Sequence, residues 1–462
     1  MDPKGAITLD YTLRDLYADS DEDGLNIVLI YYPLQFGYDR EISSPKFVYG
    51  YTLQDDGERA TLSIARAASM VPQRYAFSAG NMSLFILDPI SNNKQKEGDH
   101  HTCLSADKLF TDHVDICRTF AQLVPEQQPA LAFADSPESI SLGAGGKIAV
   151  LLPTDCLSHL PHLVHPDTHF ELLSKRGLAL SGLPTPASQV IDTCLIDSGD
   201  PILLKKEVAR MVDSIEQHQL PFVVKLPQTI SGMGTFLITS EAEKDRVKAL
   251  FLVHLEGMLR QVNIMNHHLY PCSMVIQDFI LGPVVALSLF VTKNGQPQFI
   301  ACCEQLFDDQ SHWVGGSISY QQQPELRETF AIVTEKVAAF LHSKGYHGPA
   351  GVDIVTDSRS GEQLIVDLNV RVTGTFHLGP LMGHFVRQGL FEAAMTTGDI
   401  ACSRDVFEEK FADEIRRGSL IVSGWVHGEP NHINHAAITI GARDSCGLRQ
   451  YLERIRTVGL RK

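Results

Sequence analysis

Two neighbouring apolar segments within residues 348–374 each carry an acid in the middle of a hydrophobic run. The first reads Gly-Val-Asp-Ile-Val around Asp353, and the second reads Leu-Ile-Val-Asp-Leu around Asp367. Short apolar runs of this kind, separated by a polar turn, predict two adjacent strands. A carboxylate in such a strand is unfavourable unless it is paired or binds a cation. We therefore interpret the two acids as part of a binding site rather than as ordinary residues that flank a turn.

The second strand continues with Asn369 and Arg371. Side chains two residues apart share a face of a strand, so Asp367, Asn369 and Arg371 are expected to point the same way. Two carboxylates and an amide oxygen form the all-oxygen site that Mg²⁺ prefers, usually together with substrate phosphates. Arg371 is able to hold a phosphate or a carboxylate with two hydrogen bonds, and the alternative is a structural salt bridge to Asp353 or Asp367.

The bulk composition indicates a soluble globular protein of several domains. The chain has 462 residues, of which 44% are hydrophobic and 20% are charged, and its formal net charge is −16. The acidic balance argues against a nucleic-acid partner, and no apolar run is long enough for a transmembrane helix, so no membrane partner is expected. The nine cysteines lack metal-binding spacing, and the N-terminus lacks a signal-peptide pattern, which favours a cytoplasmic location.

Strand and helix patterns alternate through residues 1–165 and predict a small α/β domain. The first 24 residues are polar and acidic and are interpreted as a loose lead-in. Further along, Asp167 is expected to cap a helix. Pro324 is expected to open one long helix that Gly345 closes.

A lysine and a glycine-containing loop suggest contact with phosphates. Lys225 ends an apolar strand, and the loop that follows contains Ser231, Gly232 and Gly234. Backbone N–H groups in such a loop approach phosphate oxygens closely, and Lys225 adds a point charge. The order of residues is not that of a Walker A motif, and for this segment alone a hairpin turn that needs glycine for its geometry is the favoured explanation.

A strand that leaves its sheet at a Gly-Pro bend is a candidate for adenine binding. The strand ends with Gln277, Asp278, Phe279 and Ile280, and the bend is Gly282-Pro283. Backbone groups that are not paired in a sheet there are free to bond the exocyclic amine and a ring nitrogen of adenine. An ordinary turn at a strand end is the equally probable alternative for this segment.

The ordered set of these segments resembles the ATP-grasp superfamily of ligases, of the carboxylate–amine ligase type. Lys175 precedes Gly-Leu-Pro-Thr-Pro, Lys225 precedes Ser-Gly-x-Gly, and the Gly-Pro bend precedes Val-Asp … Val-Asp-Leu-Asn-Val-Arg. The resemblance covers about residues 167–397. It implies an α/β (α+β) fold in which two α+β subdomains clasp ATP after a small α/β domain. The implied parts are the N-terminal domain 1–165, subdomain A with the glycine-rich lid at 166–275, subdomain B with the metal site at 276–400, and a C-terminal extension packed on them at 401–462.

The resemblance also implies a role for each matching residue. The phosphate and adenine contacts would be made by Lys175, Lys225, Ser231, Gly232, Gly234, Gln277, Asp278, Phe279 and Ile280. The magnesium ligands would be Asp353, Asp367 and Asn369, while Arg371 and Lys225 would act in catalysis. The segment 313–317 resembles a loop that borders the carboxylate substrate. Two departures are Val284, where the family often has an acid for the ribose, and Asp367, where glutamate is commoner.

The implied function is an ATP-dependent, ADP-forming ligase that joins a carboxylate to an amine through an acyl phosphate, with Mg²⁺, or Mn²⁺ as an alternative ion. The substrates would be small molecules, with amino acids as candidates, and a homodimer through the N-terminal third is one option. The alternatives are a thiol or hydroxyl acceptor and a non-catalytic ATP-binding regulator. The segments 305–319 and 373–384 are interpreted as loops that select the substrates, with His377 and His384 as structural histidines in preference to substrate contacts.

Overall fold

Three β-sheets organise the chain, and their α/β arrangement confirms the predicted fold class. We describe a computed structural model of the protein. It covers residues 6–20, 26–31, 42, 44–49, 69–87, 106–229, 234–308, 312–428 and 433–458. None of the helices in these segments is both long and apolar enough to cross a membrane.

The N-terminal sheet is parallel and has four strands in the order β3-β2-β1-β4. The strands are β1 Ile27–Tyr31, β2 Ser83–Leu87, β3 Ala130–Ala134 and β4 Lys147–Val150, and the helices are α1 Leu13–Ser20, α2 over the described residues 69–76 and α3 Ala106–Phe120. Helix α1 shows that a loose lead-in was the wrong prediction for that part of the chain. Leu13, Leu16 and Tyr17 recur at helical spacing and are buried, which stabilises this helix.

The second sheet is antiparallel, with four strands in the order β5-β8-β6-β7. Its strands are β5 Ser188–Asp192, β6 Phe222–Lys225, β7 Thr235–Ile238 and β8 Ser273–Asp278, and the helices of this part are α4 Pro166–Leu172, α5 Lys175–Ala179, α6 Pro201–Asp213 and α7 Glu241–Leu259. Helices α6 and α7 bury residues such as Met211 and Phe251 in a core that this sheet does not share with the others. The sheet is therefore a separate hydrophobic unit.

The start of α4 differs from the sequence prediction. The cap position is His165 rather than Asp167, because Pro166 occupies the first turn and its fixed backbone suits that position. A second helix, α5, begins directly at Lys175. The side chain of Ser174 accepts hydrogen bonds from the N–H groups of Arg176 and Gly177 and so caps α5.

The third sheet has eight strands, in the order β13-β12-β9-β10-β11-β14-β16-β15, and every pairing within it is antiparallel. Its strands are β9 Val284–Val291, β10 Pro297–Phe307, β11 Trp313–Ser319, β12 Gly348–Thr356, β13 Gln363–Asn369, β14 Glu392–Ile400, β15 Leu420–Val426 and β16 Asn434–Ala442. The helices are α8 Gln323–Thr329, α9 Ala331–Ser343, α10 Met382–Val386, α11 Arg404–Lys410, α12 Ala412–Arg417 and α13 Ser445–Val458.

Two predictions for this part of the chain are wrong. The single helix expected from Pro324 is divided into α8 and α9 at Phe330, whose backbone leaves helical geometry while its ring is buried in the core. Most of the expected loop 305–319, including 313–317, is strand. The backbone of β14 lies so close to β11 that a Cβ at Gly315 would be 1.9 Å from the carbonyl oxygen of Met395. The glycines of 313–317 therefore permit close strand packing rather than a loop.

Glutamine side chains attach the N-terminal helices to the far edge of the large sheet. The Gln73 amide donates to the carbonyl oxygen of Trp425 at 2.7 Å and accepts from its N–H at 3.0 Å. Gln122 makes the same pair of bonds with Val422. Helix α2 and the segment after α3 are thus held against β15 by two buried and two partly buried hydrogen bonds.

Candidate active site

The two acidic strands form the hairpin β12–β13, and their acids face each other. Asp353 is directly opposite Asp367 in the register, and Asn369 is opposite Gly351. The register shifts between Asp353 and Ile354, so that Val366 has no partner residue on β12. A bulge of this kind frees backbone polar groups and turns side chains. Here it leaves the carbonyl oxygen of Val366 available beside the paired acids.

Both predicted lysines converge on this hairpin from other elements. Lys175, at the beginning of α5, forms an ion pair with Asp367. Lys225, at the end of β6, donates to the freed carbonyl of Val366 at 2.6 Å and to the Gln277 Oε1 atom at 2.7 Å. The lysines are 8% and 6% exposed, respectively. Two buried ammonium groups therefore adjoin the two carboxylates.

Burial and mutual charge shift the pKa values of this cluster in opposite directions. Burial, together with the neighbouring Asp367 charge, raises the pKa of Asp353 to about 7. Burial opposes ionisation of Asp367 as well, but Lys175 outweighs it and holds the pKa of Asp367 below its usual range. Burial lowers the pKa of Lys225 to about 8, with a further contribution from the Lys175 charge. The acidic pair is thus incompletely neutralised at Asp353.

The donor set is compatible with Mg²⁺. Asp353 and Asp367 supply carboxylate oxygens, and the Asn369 amide oxygen lies on the same strand as Asp367 and accepts from Arg371 at 3.1 Å. Within the described segments, no group of three acidic, histidine or cysteine side chains is placed to hold a metal. Mg²⁺ commonly uses only one or two carboxylates and completes its shell with phosphates and water. The raised pKa of Asp353 is the observation that favours a cation here.

Arg371 is not paired with either acid of the hairpin, so the structural salt bridge considered for it is absent among the described residues. Its guanidinium donates to the Asn369 side chain, to the carbonyl oxygen of Val372 at 3.1 Å and to the Tyr75 hydroxyl at 3.2 Å. Lys175 takes the place at Asp367 instead. Arg371 is therefore able to bind an anion without first breaking an ion pair.

The strand end that was predicted to bind adenine lies beside the turn of the β12–β13 hairpin. Leu281 accepts a backbone hydrogen bond from Ser358 in that turn at 2.9 Å. A Cβ at Gly282 would lie 1.9 Å from the Thr356 carbonyl oxygen, so only glycine fits this close approach. The end of β8 and the acidic hairpin are thereby fixed relative to each other.

The four residues that were predicted to bind adenine, Gln277 to Ile280, have different environments. The Gln277 side chain is buried and contacts Lys225 and the Ser188 hydroxyl, so it positions the lysine. Asp278 is exposed, and its N–H donates to the Ala187 carbonyl oxygen. Phe279 and Ile280 follow the strand and are partly exposed.

The predicted glycine loop is described only in part. Ser231 and Gly232 lie outside the described residues. Gly234 has a φ of +77°, and its carbonyl oxygen accepts from the Leu226 N–H at 2.8 Å. This bond closes the loop at the base of the β6–β7 hairpin, next to Lys225.

Two residues that sequence reasoning missed, Arg74 and Tyr75, come from helix α2. The Tyr75 hydroxyl accepts from Arg74 at 3.1 Å as well as from Arg371. Burial opposes ionisation of Tyr75, but Arg371 and Arg74 outweigh it and lower the pKa of Tyr75 to about 8. A sequence separation of 296 residues between Tyr75 and Arg371 hid this contact, because no local pattern records it.

The histidines near the site have structural partners. His377 bonds the Thr439 hydroxyl at 2.8 Å, and His384 bonds the Gly418 carbonyl oxygen at 2.8 Å. Burial lowers the pKa of His377 to about 3, so this ring is neutral. The expectation that both are structural histidines is therefore confirmed.

A small cavity adjoins Arg371. It is bordered by Arg371, the rings of Tyr17, Tyr31 and Tyr346, and His169, together with the carboxyl end of β4. Tyr31 is the last residue of β1, and the carboxyl edge of a parallel sheet is the usual place for a ligand in α/β domains. The cavity thus joins the N-terminal sheet to the arginine of the large sheet.

No family model and no curated protein matches the sequence. Among solved structures, the chain is similar to N5-carboxyaminoimidazole ribonucleotide synthetase from Thermus thermophilus, with a TM-score of 0.48, 12% identity and coverage of 94% of this chain and 99% of that one. It is similar to N5-carboxyaminoimidazole synthetase from Staphylococcus aureus complexed with ADP (TM-score 0.48, 14% identity, 84% and 93% coverage). It is also similar to L-amino acid ligase from Bacillus licheniformis (TM-score 0.47, 11% identity, 94% and 98% coverage).

Proposed function

We propose that this chain is an ATP-dependent ligase of the ATP-grasp superfamily that joins a carboxylate to an amine and forms ADP and phosphate. The observation that carries the proposal is the meeting of two buried lysines with the paired acids of the β12–β13 hairpin. These groups come from four elements, α5, β6, β12 and β13, and leave one acid incompletely neutralised. Such a cluster suits a divalent cation bound to a polyphosphate.

The lysines would hold the phosphate oxygens of ATP. Lys225 is fixed by Gln277 and by the Val366 carbonyl, so its ammonium group needs little reorganisation when a ligand arrives. A triphosphate next to it favours the charged form and offsets the effect of burial on its pKa. Lys175 would exchange its contact with Asp367 for a phosphate, which releases that carboxylate. Mg²⁺, when bound by Asp353, Asp367 and Asn369, would neutralise negative charge on the phosphates.

The reaction itself would need no protein nucleophile. An oxygen of the substrate carboxylate attacks the γ-phosphorus, the bond to ADP breaks, and an acyl phosphate forms. The amine then attacks the acyl carbon, inorganic phosphate leaves, and the amine loses a proton. Arg371 would contact the substrate carboxylate and then the acyl phosphate formed from it, because its donors face Asn369 and Tyr75 rather than a carboxylate of the protein. Burial of the site limits hydrolysis of the acyl phosphate.

The direct test is release of ADP by the purified chain with panels of carboxylic acids and amines. Asp367→Ala should lower the amine-dependent rate by about 10²–10³-fold or more, because it removes a ligand of the Mg²⁺ ion that would neutralise the phosphates. Asp357→Ala is a matched control in the turn of the same hairpin, where Asp357 bonds only Arg359 and neighbouring turn residues. Full activity of the Asp367 variant would contradict the proposal.

Two other outcomes would support one of the alternative functions. ADP formation that depends on a thiol or a hydroxyl acceptor would keep the ATP site and change the acceptor. Tight binding of ATP without any turnover would support a regulatory protein. Each outcome is read from the same assay combined with nucleotide titration.

A further inference from the structure

Two arginines of the site, the buried Arg74 and the half-buried Arg371, have no acidic partner among the described residues. Two other buried cations are paired with acids, Lys175 with Asp367 and Arg404 with Asp115, whereas Lys225 donates to neutral oxygens of Val366 and Gln277. A charge withdrawn from water without a counter-charge is unfavourable unless a ligand supplies one. The two guanidinium groups thus form a positive region that the described protein does not neutralise.

A single phenol oxygen lies between these two groups. The Tyr75 hydroxyl accepts from Arg74 at 3.1 Å and from Arg371 at 3.2 Å, and both guanidiniums also lie near its ring, 4.8 Å and 5.7 Å from the centroid. A neutral oxygen compensates two positive charges only weakly. The lowered pKa of Tyr75 is consistent with a strongly positive local potential.

Arg74 keeps an unused donor at this place. Its side chain is buried, with 7% exposure, and its Nε atom has no hydrogen-bond partner among the described residues. One face of the guanidinium lies 5.3 Å from the Trp313 ring centroid. A Cβ at Gly374 would come within 2.8 Å of that indole and 3.5 Å of the Arg74 guanidinium carbon, so the absence of a side chain there leaves space beside both.

Hydrogen bonds of the adjacent residue, Gln73, fix the backbone at Arg74. The preceding residue, Gln73, is bonded twice to Trp425 and accepts from the Thr119 hydroxyl at 2.9 Å. A charged group held by a rigid backbone binds an anion with less loss of conformational entropy than a mobile one. Arg74 therefore has the burial, the free donor and the rigidity of a ligand-binding residue.

We propose that Arg74 and Arg371 together bind the carboxylate of the acid substrate, with the Trp313 indole as one wall of the site. The inference rests on the proposed ligase function and specifies the class of its acid substrate as a small carboxylic acid. Because Arg371 also bonds Asn369, the bound carboxylate lies next to the proposed metal ligands, where it attacks the phosphate. Arg74 becomes a substrate-binding residue that the N-terminal part of the chain supplies.

The test is calorimetric titration of the full chain with succinate, with succinamide as the neutral analogue and inorganic phosphate as the competing anion. Each titration is done with and without a non-hydrolysable ATP analogue and Mg²⁺. Arg74→Met should weaken succinate binding about tenfold or more, because hydrogen bonds to a charged group are lost. Arg359→Met, an exposed arginine of the β12–β13 turn, is the control and should leave binding unchanged.

Tyr75→Phe tests whether Arg74 binds the carboxylate directly or acts only through packing. It removes the hydrogen bonds that join the arginines and leaves their charges, so we expect succinate affinity within about threefold of the parent. Equal losses in Tyr75→Phe and Arg74→Met would show that Arg74 acts only through packing and would overturn the inference. Binding of phosphate or succinamide in preference to succinate would overturn it too. Failure of the ATP analogue to bind would contradict the ligase function, while succinate binding without nucleotide would still test the arginine pair.

Discussion

The two ends of the candidate site differ in how their charges are compensated, although Asp367 and Arg371 are close neighbours in the chain. At the acidic end, two carboxylates adjoin two lysines, and Lys175 forms a direct ion pair with Asp367. At the arginine end, two guanidiniums share one phenol oxygen and have no acid among the described residues. The first end therefore contains charges of both signs before a ligand binds, whereas the described residues of the second end carry positive charge alone.

This difference indicates separate tasks. A cluster that contains charges of both signs is able to exchange lysine–carboxylate contacts for lysine–phosphate and cation–carboxylate contacts with little net change in charge. An unbalanced pair of arginines gains a counter-charge only from an anionic ligand. We therefore expect changes at the acidic end to affect phosphate chemistry, and changes at the arginine end to affect recognition of the acid.

The largest effect is expected from Lys225→Met. Removing a fixed, buried donor to the phosphates should lower the rate of ADP formation about 10²–10³-fold, measured at saturating substrates. Lys244→Met is the control. This lysine is also buried, but it pairs with Glu241 on α7, the helix that packs on the second sheet. An equal loss in both variants would mean that burial of any lysine matters, and the contrast between the two ends would fail.

A smaller effect is expected from Arg371→Lys, which keeps the charge and removes the planar fork. Lysine is unable to reach Asn369 and Tyr75 together, so we expect about a tenfold lower kcat/KM for the acid substrate. The affinity for an ATP analogue, measured by titration, should stay within about twofold of the parent value. A selective loss of nucleotide binding would place Arg371 with the acidic end and remove the distinction.

The smallest effect is the pH dependence of stability caused by Asp353. Its pKa in the folded protein is about 7, above the ordinary 3.8, so the fold binds this proton more tightly than the unfolded chain does. The contribution to stability is therefore fully present below about pH 4 and is lost as the pH rises towards 7. Asp353→Asn should be relatively more stable than the parent at about pH 8 than at about pH 4, measured by urea unfolding without nucleotide or Mg²⁺. A stability difference that does not change with pH would show that Asp353 is already neutralised.

Much of the acidic end follows from local sequence patterns. The hairpin with Asp353 and Asp367 and the strand ending at Lys225 are visible because apolar residues and acids alternate within a few positions. The bulge that frees the Val366 carbonyl could not be predicted from the sequence, because more than one register of two apolar strands satisfies the same pattern. The family resemblance implied that Lys175 contacts phosphate, but its ion pair with Asp367 was not predicted.

The arginine end was not predictable in the same way. Arg74 and Tyr75 lie in a helix of the N-terminal part, and only tertiary packing brings them to Arg371. The strand character of 313–319 was hidden by its glycines, which usually signal a loop but here admit the backbone of β14. Similarly, the break at Phe330 comes from the burial of one ring and not from a proline or glycine signal.

Under the role proposed for Arg74, the hydrogen bonds between Gln73 and Trp425 would give strand β15 an indirect part in recognising the acid. Strand β15 contributes no group to the proposed chemistry, yet through Gln73 it holds the backbone beside Arg74. We therefore expect substitutions in this strand to alter selectivity for the acid and to leave the binding of ATP unchanged.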